Sequence, residues 1–229
     1  MLARRPLAAA ATAATAALLA LTALSGCAAA GGGAAEADAV TPSASATASA
    51  GALRVAVIGD SIESGLGLEP SEAWPALVAA SRDWRLDNLS VPGAGFVAQG
   101  SDGDDFSGQV DAAIASGAQL VLIGASDNDL GSEVSEVTAA MQTAVDRIHA
   151  ALPDARIVGF SALTGQAADA DLAPFDAALQ KTVEAAGGTW LDLGQPYRDL
   201  AGLVQDDDEH PTLPGQEAIA AAVESKLGA

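Results

Sequence analysis

Leu53-Arg-Val-Ala-Val-Ile58, running directly into Gly59-Asp60-Ser61-Ile62, decides how the rest of the chain is read. Six mostly aliphatic residues ending at a polar turn have the pattern of a buried β-strand. In an open parallel sheet, ligands meet the protein at the C-terminal ends of the strands. A serine at that place, after a glycine that lets the backbone turn sharply, is a candidate nucleophile. The same tripeptide also reads as a plain strand-to-helix turn, with Asp60 or Ser61 capping the next helix.

Outward from this stretch, strand-like and helix-like runs alternate. Pro70–Arg82 is amphipathic and contains Ala73-Trp-Pro-Ala-Leu77, and Trp84–Leu89 reads as a second strand. A Gly-rich loop, Val91–Asp105, precedes a short helix over Phe106–Ser116, where Phe106, Val110, Ala113 and Ile114 recur at helical spacing. Leu120–Ile123 is a third strand. Val134, Val137, Met141, Val145, Ile148 and Leu152 mark a long helix that Pro153 ends. Arg156–Phe160 is a fourth strand. A loop from Ser161 to Pro174 leads to a helix finishing at Gly187-Gly188, where glycine suits a helix C-terminus. Thr189–Leu193 is a fifth strand and Leu213–Leu227 a final helix. Strands alternating with helices predict a five-stranded parallel sheet covered on both faces. Right-handed crossovers then give a three-layer α/β/α sandwich, a flavodoxin-like arrangement. No internal repeat is visible.

The first 26 residues are not expected to be part of the fold. Arg4 and Arg5 precede a charge-free Ala/Leu run from Leu7 to Leu24, the layout of a secretory signal. It ends in Leu24-Ser25-Gly26-Cys27, which resembles a bacterial lipobox. The resemblance implies a lipoprotein cleaved before Cys27 and lipidated on its sulfur. Cys27 is the only cysteine, so no intramolecular disulfide can form. Residues 27–52 are almost all Ala, Gly, Ser and Thr and read as a flexible tether. About 25 such residues span roughly 25–30 Å as a coil. Residues 53–229 are then the one globular domain.

Formal charge is −20 for the whole chain and −22 once Arg4 and Arg5 are removed with the signal. A domain of this sign is repelled by nucleic acid and by anionic headgroups. We therefore expect no nucleic-acid partner, and contact with the membrane through the lipid anchor alone.

Three further blocks stand where this fold would bring them to the Ser61 edge. Asp206-Asp207-Asp208-Glu209-His210-Pro211 lies between the fifth strand and the last helix. An Asp three residues before His210 can reach its Nδ1 while Nε2 faces a serine. The other histidine, His149, falls at the end of the long helix, where a solvated role is expected. Asn88-Leu-Ser-Val-Pro-Gly93-Ala-Gly95 follows the second strand, and Gly93 lets its N–H approach a substrate closely. Gly124-Ala-Ser-Asp-Asn128-Asp129 follows the third strand, where Asn128 offers a neutral side-chain donor. An acidic surface loop, a glycine turn and an Asx turn are the alternative readings of these blocks.

Taken together, the four blocks resemble the GDSL/SGNH hydrolase family, over the whole stretch from about Leu53 to Ala229. The resemblance implies Ser61 as nucleophile, His210 as base and Asp207 as the acid that orients it. It also implies an oxyanion hole from the Ser61 and Gly93 amides with Asn128. The Gly-x-Ser-x-Gly elbow of the α/β-hydrolases is absent. Two positions depart from the family pattern. Ser126 stands where a glycine is usual, and Glu63 replaces a small or hydroxyl residue. A carboxylate so close to the nucleophile would either disfavour anionic substrates or merely point to solvent, and we expect the second.

The expected protein is a monomeric, lipid-anchored, extracytoplasmic serine esterase acting on a small ester or acylated glycan. It is expected to use no cofactor and no metal. Asp102-Gly-Asp104-Asp105 lacks the spacing of a calcium loop and reads as a solvated acidic loop. A glycan O-deacetylase, an acyltransferase and a non-catalytic binding lipoprotein are the alternatives, because fold does not fix function.

Overall fold

The computed structural model describes residues 51–228. The signal segment, Cys27 and nearly all of the tether lie outside the described residues. The strands are β1 (Arg54–Ile58), β2 (Arg85–Asn88), β3 (Leu120–Gly124), β4 (Arg156–Phe160) and β5 (Thr189–Leu191). All pair in parallel, in the order β2-β1-β3-β4-β5. The helices are α1 (Ser61–Ser64), α2 (Trp74–Ser81), α3 (Phe106–Ser116), α4 (Val134–Ala151), α5 (Asp169–Ala185) and α6 (Leu213–Leu227).

Alternation along each strand divides the core in two. Ala56, Ile58, Val121 and Ile123 face one layer with Val110, Met141, Val145 and Leu179 of α3, α4 and α5. Val55, Val57, Leu120 and Leu122 face the other, with Trp74, Val78, Ile219 and Val223 of α2 and α6. Both faces are buried, which is why β1 and β3 are continuous apolar runs in the sequence. On the second face Trp74 meets Phe160 edge-on, with ring centroids 5.6 Å apart. Such a pair adds about 0.5–1.5 kcal/mol to the area it buries.

From β1 the chain moves outward to β2, then returns to β3 on the other side. The loops after β1 and β3 thus diverge and leave a crevice at their C-terminal ends, where open sheets of this order place ligands.

Several boundaries differ from the sequence expectation, three of them for a plain physical reason. The stretch Pro70–Arg82 is not one helix: a 3-10 turn over Pro70–Glu72 is followed by extended Ala73, and α2 starts at Trp74. Pro75 has no N–H to give the preceding turn and is accommodated without loss in the first turn of a helix, where no such bond is made. The loop from Ser161 is shorter than expected, because α5 begins at Asp169 and carries Pro174 inside it. The carbonyl that Pro174 leaves without a partner belongs to Ala170, which is exposed to water. Finally, β5 stops at Leu191, as an edge strand with one neighbour has less to hold it.

Candidate active site

At the end of β1, the Gln109 side chain clamps Gly59. The Gly59 N–H donates to Gln109 Oε1 (3.0 Å), and Gln109 Nε2 donates to the Gly59 carbonyl (2.9 Å). A side chain on Gly59 would meet Glu63 Cγ at 2.5 Å, so only glycine fits. Asp60 caps α1, accepting from Ile62 N at 3.0 Å, while Glu63 Oε2 accepts from Asp60 N at 3.0 Å. This reciprocal capping box presents Ser61 as the first residue of the helix. The two readings of Gly-Asp-Ser therefore coexist: Asp60 caps, and Ser61 is displayed.

Glu63 does not point to solvent. It is 3 % exposed, and its Oε1 accepts from Trp74 Nε1 at 3.3 Å. Turning inward gives it one backbone and one indole donor, and gives a buried Trp74 its partner. Gln216, fully buried on α6, completes this underside. It accepts from Trp74 N (2.8 Å) and donates to the Ile62 carbonyl (2.9 Å).

His210 comes from the loop before α6. Its Nε2 lies 3.0 Å from Ser61 Oγ, and its Nδ1 lies 2.7 Å from Asp207 Oδ2. Asp207 Oδ1 also accepts from the backbone N–H groups of Glu209 and His210, each at 3.0 Å. The hydrogen bond from His210 is the main reason the Asp207 carboxyl is held down at about 2. Asp206 and Asp208 are exposed and do not approach the ring. The loop itself is tight: Gln205 N donates to the His210 carbonyl at 2.7 Å, and Tyr197 Oη donates to the Glu209 carbonyl at 3.0 Å. Gly165 packs beneath it, where any Cβ would fall 2.4 Å from the Asp208 carbonyl.

The loops after β2 and β3 meet at Ser126. Its Oγ lies 2.6 Å from Asp60 Oδ2 and 3.1 Å from the Ala94 carbonyl, and it accepts from Asn128 N at 3.2 Å. The departure from glycine thus becomes the tie between nucleophile loop, Gly93 loop and Asn128. Asn128 lines the same cleft as Ser61, Gly93 and His210. Its Nδ2 donates to the Ala94 carbonyl (3.2 Å) and to Ser126 Oγ (3.1 Å). Among the described residues, the N–H groups of Ser61 and Gly93 have no protein acceptor. Asp129 fixes the Gly93 loop from behind by accepting from Phe96, Val97 and Ala98 N at 2.8, 3.0 and 3.1 Å. The loop over residues 102–105 and His149 are solvent-facing, as expected.

Two carboxyl groups not singled out in the sequence also line the cleft, Asp127 and Glu209. Glu209 Oε1 accepts from Thr164 Oγ1 (3.2 Å) and Gly165 N (3.0 Å), and its side chain faces the same cleft as Asp127. Burial, with Asp60 and Glu209 nearby, pushes Asp127 up to about 7. Burial likewise raises Asp60, Glu63 and Asp129, and Asp176 to about 6. A raised acid keeps its proton in the native state where the unfolded chain has lost it. Each such group therefore lowers stability as pH climbs from about 3.9, the unfolded value, to the folded one. Asp207 acts oppositely, losing its contribution only as pH falls through about 2. The melting temperature is thus expected to fall from pH 5 to pH 8 in calorimetry; a rise over that interval would contradict these assignments.

A parallel sheet of this order, with a serine, a histidine and a carboxylate in one hydrogen-bonded row at its C-terminal edge, has the architecture of a three-layer α/β/α hydrolase. Residues 57–218 match the GDSL-like Lipase/Acylhydrolase family, and the chain belongs to it. It is an esterase-type hydrolase of that family. Among curated proteins none matches the chain. Solved structures share the fold at low identity. That of TesA is 21% identical with a TM-score of 0.63, covering 76% of this chain and 97% of that one. The psychrotrophic esterase EstA from Pseudoalteromonas sp., inhibited by monoethylphosphonate, is 19% identical with a TM-score of 0.62, covering 76% and 96%. A family two carbohydrate esterase from Cellvibrio japonicus is 14% identical with a TM-score of 0.63, covering 76% and 60%.

Proposed function

We propose that this protein is a serine esterase that cleaves carboxylic esters through an acyl-enzyme, held outside the cell membrane by a lipid on Cys27. The row Ser61–His210–Asp207, with links of 3.0 and 2.7 Å, carries the reading. It opens on a cleft of about 390 Å³, large enough for a small ester. His210 Nε2 takes the proton from Ser61 Oγ as the oxygen attacks the ester carbonyl. Asp207, ionised throughout the neutral range, holds the ring in the tautomer that leaves Nε2 free and balances the imidazolium. The unsatisfied N–H groups of Ser61 and Gly93 stabilise the oxyanion. Asn128 joins them by giving up one of its two present bonds, neither shorter than 3.1 Å. His210 then protonates the leaving alcohol, and water, deprotonated by the same ring, releases the acid.

The carbohydrate esterases among the similar folds favour acetylated glycan as a second substrate class. A panel of p-nitrophenyl esters of increasing chain length, run beside acetylated oligosaccharides, separates the two. Turnover falling with acyl length and strong on p-nitrophenyl acetate is the expected result. Absence of turnover on every ester would overturn the proposal. The protein is proposed to act as a monomer, since every residue of the row comes from one chain.

A further inference from the structure

The charge of the cleft is the feature that the reaction above leaves unused. Asp127 immediately precedes Asn128, and Glu209 immediately precedes His210. Consecutive Cα atoms are about 3.8 Å apart, so each carboxyl is carried beside a residue that handles the reacting ester. Both line the cleft, and Thr164 and Gly165 fix Glu209 in place. Apart from His210, no basic side chain lines it; Leu66 and Pro92 supply its apolar part. Asp60 stands nearby but is committed to its cap and to Ser126.

Resting on the esterase reading, we propose that Asp127 and Glu209 are specificity-determining residues, selecting esters that carry an ammonium group near the scissile carbonyl and rejecting those that carry a carboxylate. The two carboxyls line the same cleft, near enough for the charge of Glu209 to act on Asp127. The positive charge of an ammonium group is attracted to both carboxylates, whereas an anion meets only repulsion. Glu63, the acidic neighbour visible in the sequence, has no part in this, because its carboxylate is turned into the core. A charge in a half-buried site changes the binding of another by roughly 10- to 100-fold.

The test compares three p-nitrophenyl esters whose acyl chains end in trimethylammonium, in its neutral tert-butyl isostere, and in a carboxylate. The full chain is used, with Ser61→Ala as the blank. We expect kcat/KM to rank cation, neutral, anion, with cation and anion separated by about 100-fold. Asp127→Asn with Glu209→Gln should collapse that ratio to within about threefold. Asp102→Asn with Asp104→Asn, an equal charge change on the exposed loop, should leave it standing. Should the paired variant fail to fold, rising salt in the parent reports the same thing, because screening must shrink the ratio. Hydrolysis without charge preference, a preference for the anion, or a ratio that survives the paired substitution overturns the inference. Failure of all three esters, and of p-nitrophenyl acetate, overturns the esterase reading instead.

Discussion

Ser61→Ala is expected to lower kcat for p-nitrophenyl acetate by roughly 10³–10⁶-fold, with the fold intact. The serine hydroxyl bonds to His210 alone, whereas the helix it opens is capped by Asp60 and Glu63. The Ser61 carbonyl, which accepts from Leu66 N and Ser64 Oγ, is unaffected by the change. Far-UV circular dichroism and melting temperature should therefore match the parent within about 1 °C, consistent with a loss of well under 1 kcal/mol. Turnover within tenfold of the parent would mean that a different group attacks the ester.

The second large effect concerns three adjacent aspartates, of which spacing from His210 singles out Asp207. Asp207→Asn is expected to cost roughly 10²–10⁴-fold in kcat, because an amide at Oδ2 favours the wrong tautomer of His210. Asp206→Asn and Asp208→Asn should each change kcat by less than about threefold, as exposed surface substitutions do. Only Asp207 reaches the ring, at 2.7 Å, and only its two oxygens are divided between ring and backbone. Asp208 has a positive φ of 61°, a conformation that asparagine accepts as readily as aspartate. A larger loss at Asp206 or Asp208 would place the orienting carboxylate elsewhere.

What could be read in the sequence followed burial. β1, β3 and β4 show as apolar runs because helices cover both their faces, and four short polar blocks at the ends of such runs point to one edge. The edge strands were less legible. β2 has exposed and half-buried residues only, and its pattern blurs into Trp84 and Leu89. Pro75 did carry a signal, since proline inside a proposed helix argues for a start just before it. Contacts between distant polar groups leave no local trace. Gln109 meets Gly59 across 50 positions and Gln216 meets Ile62 across 154, so neither could be picked out as a support of the nucleophile loop. Glu63 misled for the same reason, its indole partner being 11 residues away. Asp127 and Glu209 each stood inside a block already read for its neighbour, and only folding brings them to one cleft.

Labelling with a fluorophosphonate, followed by peptide mapping, tests most directly whether this row of side chains forms an activated nucleophile. One adduct per chain on the peptide holding Ser61 is expected, and His210→Ala should slow its formation at least a hundredfold. No adduct, or an adduct on another residue with Ser61 unmodified, would contradict it.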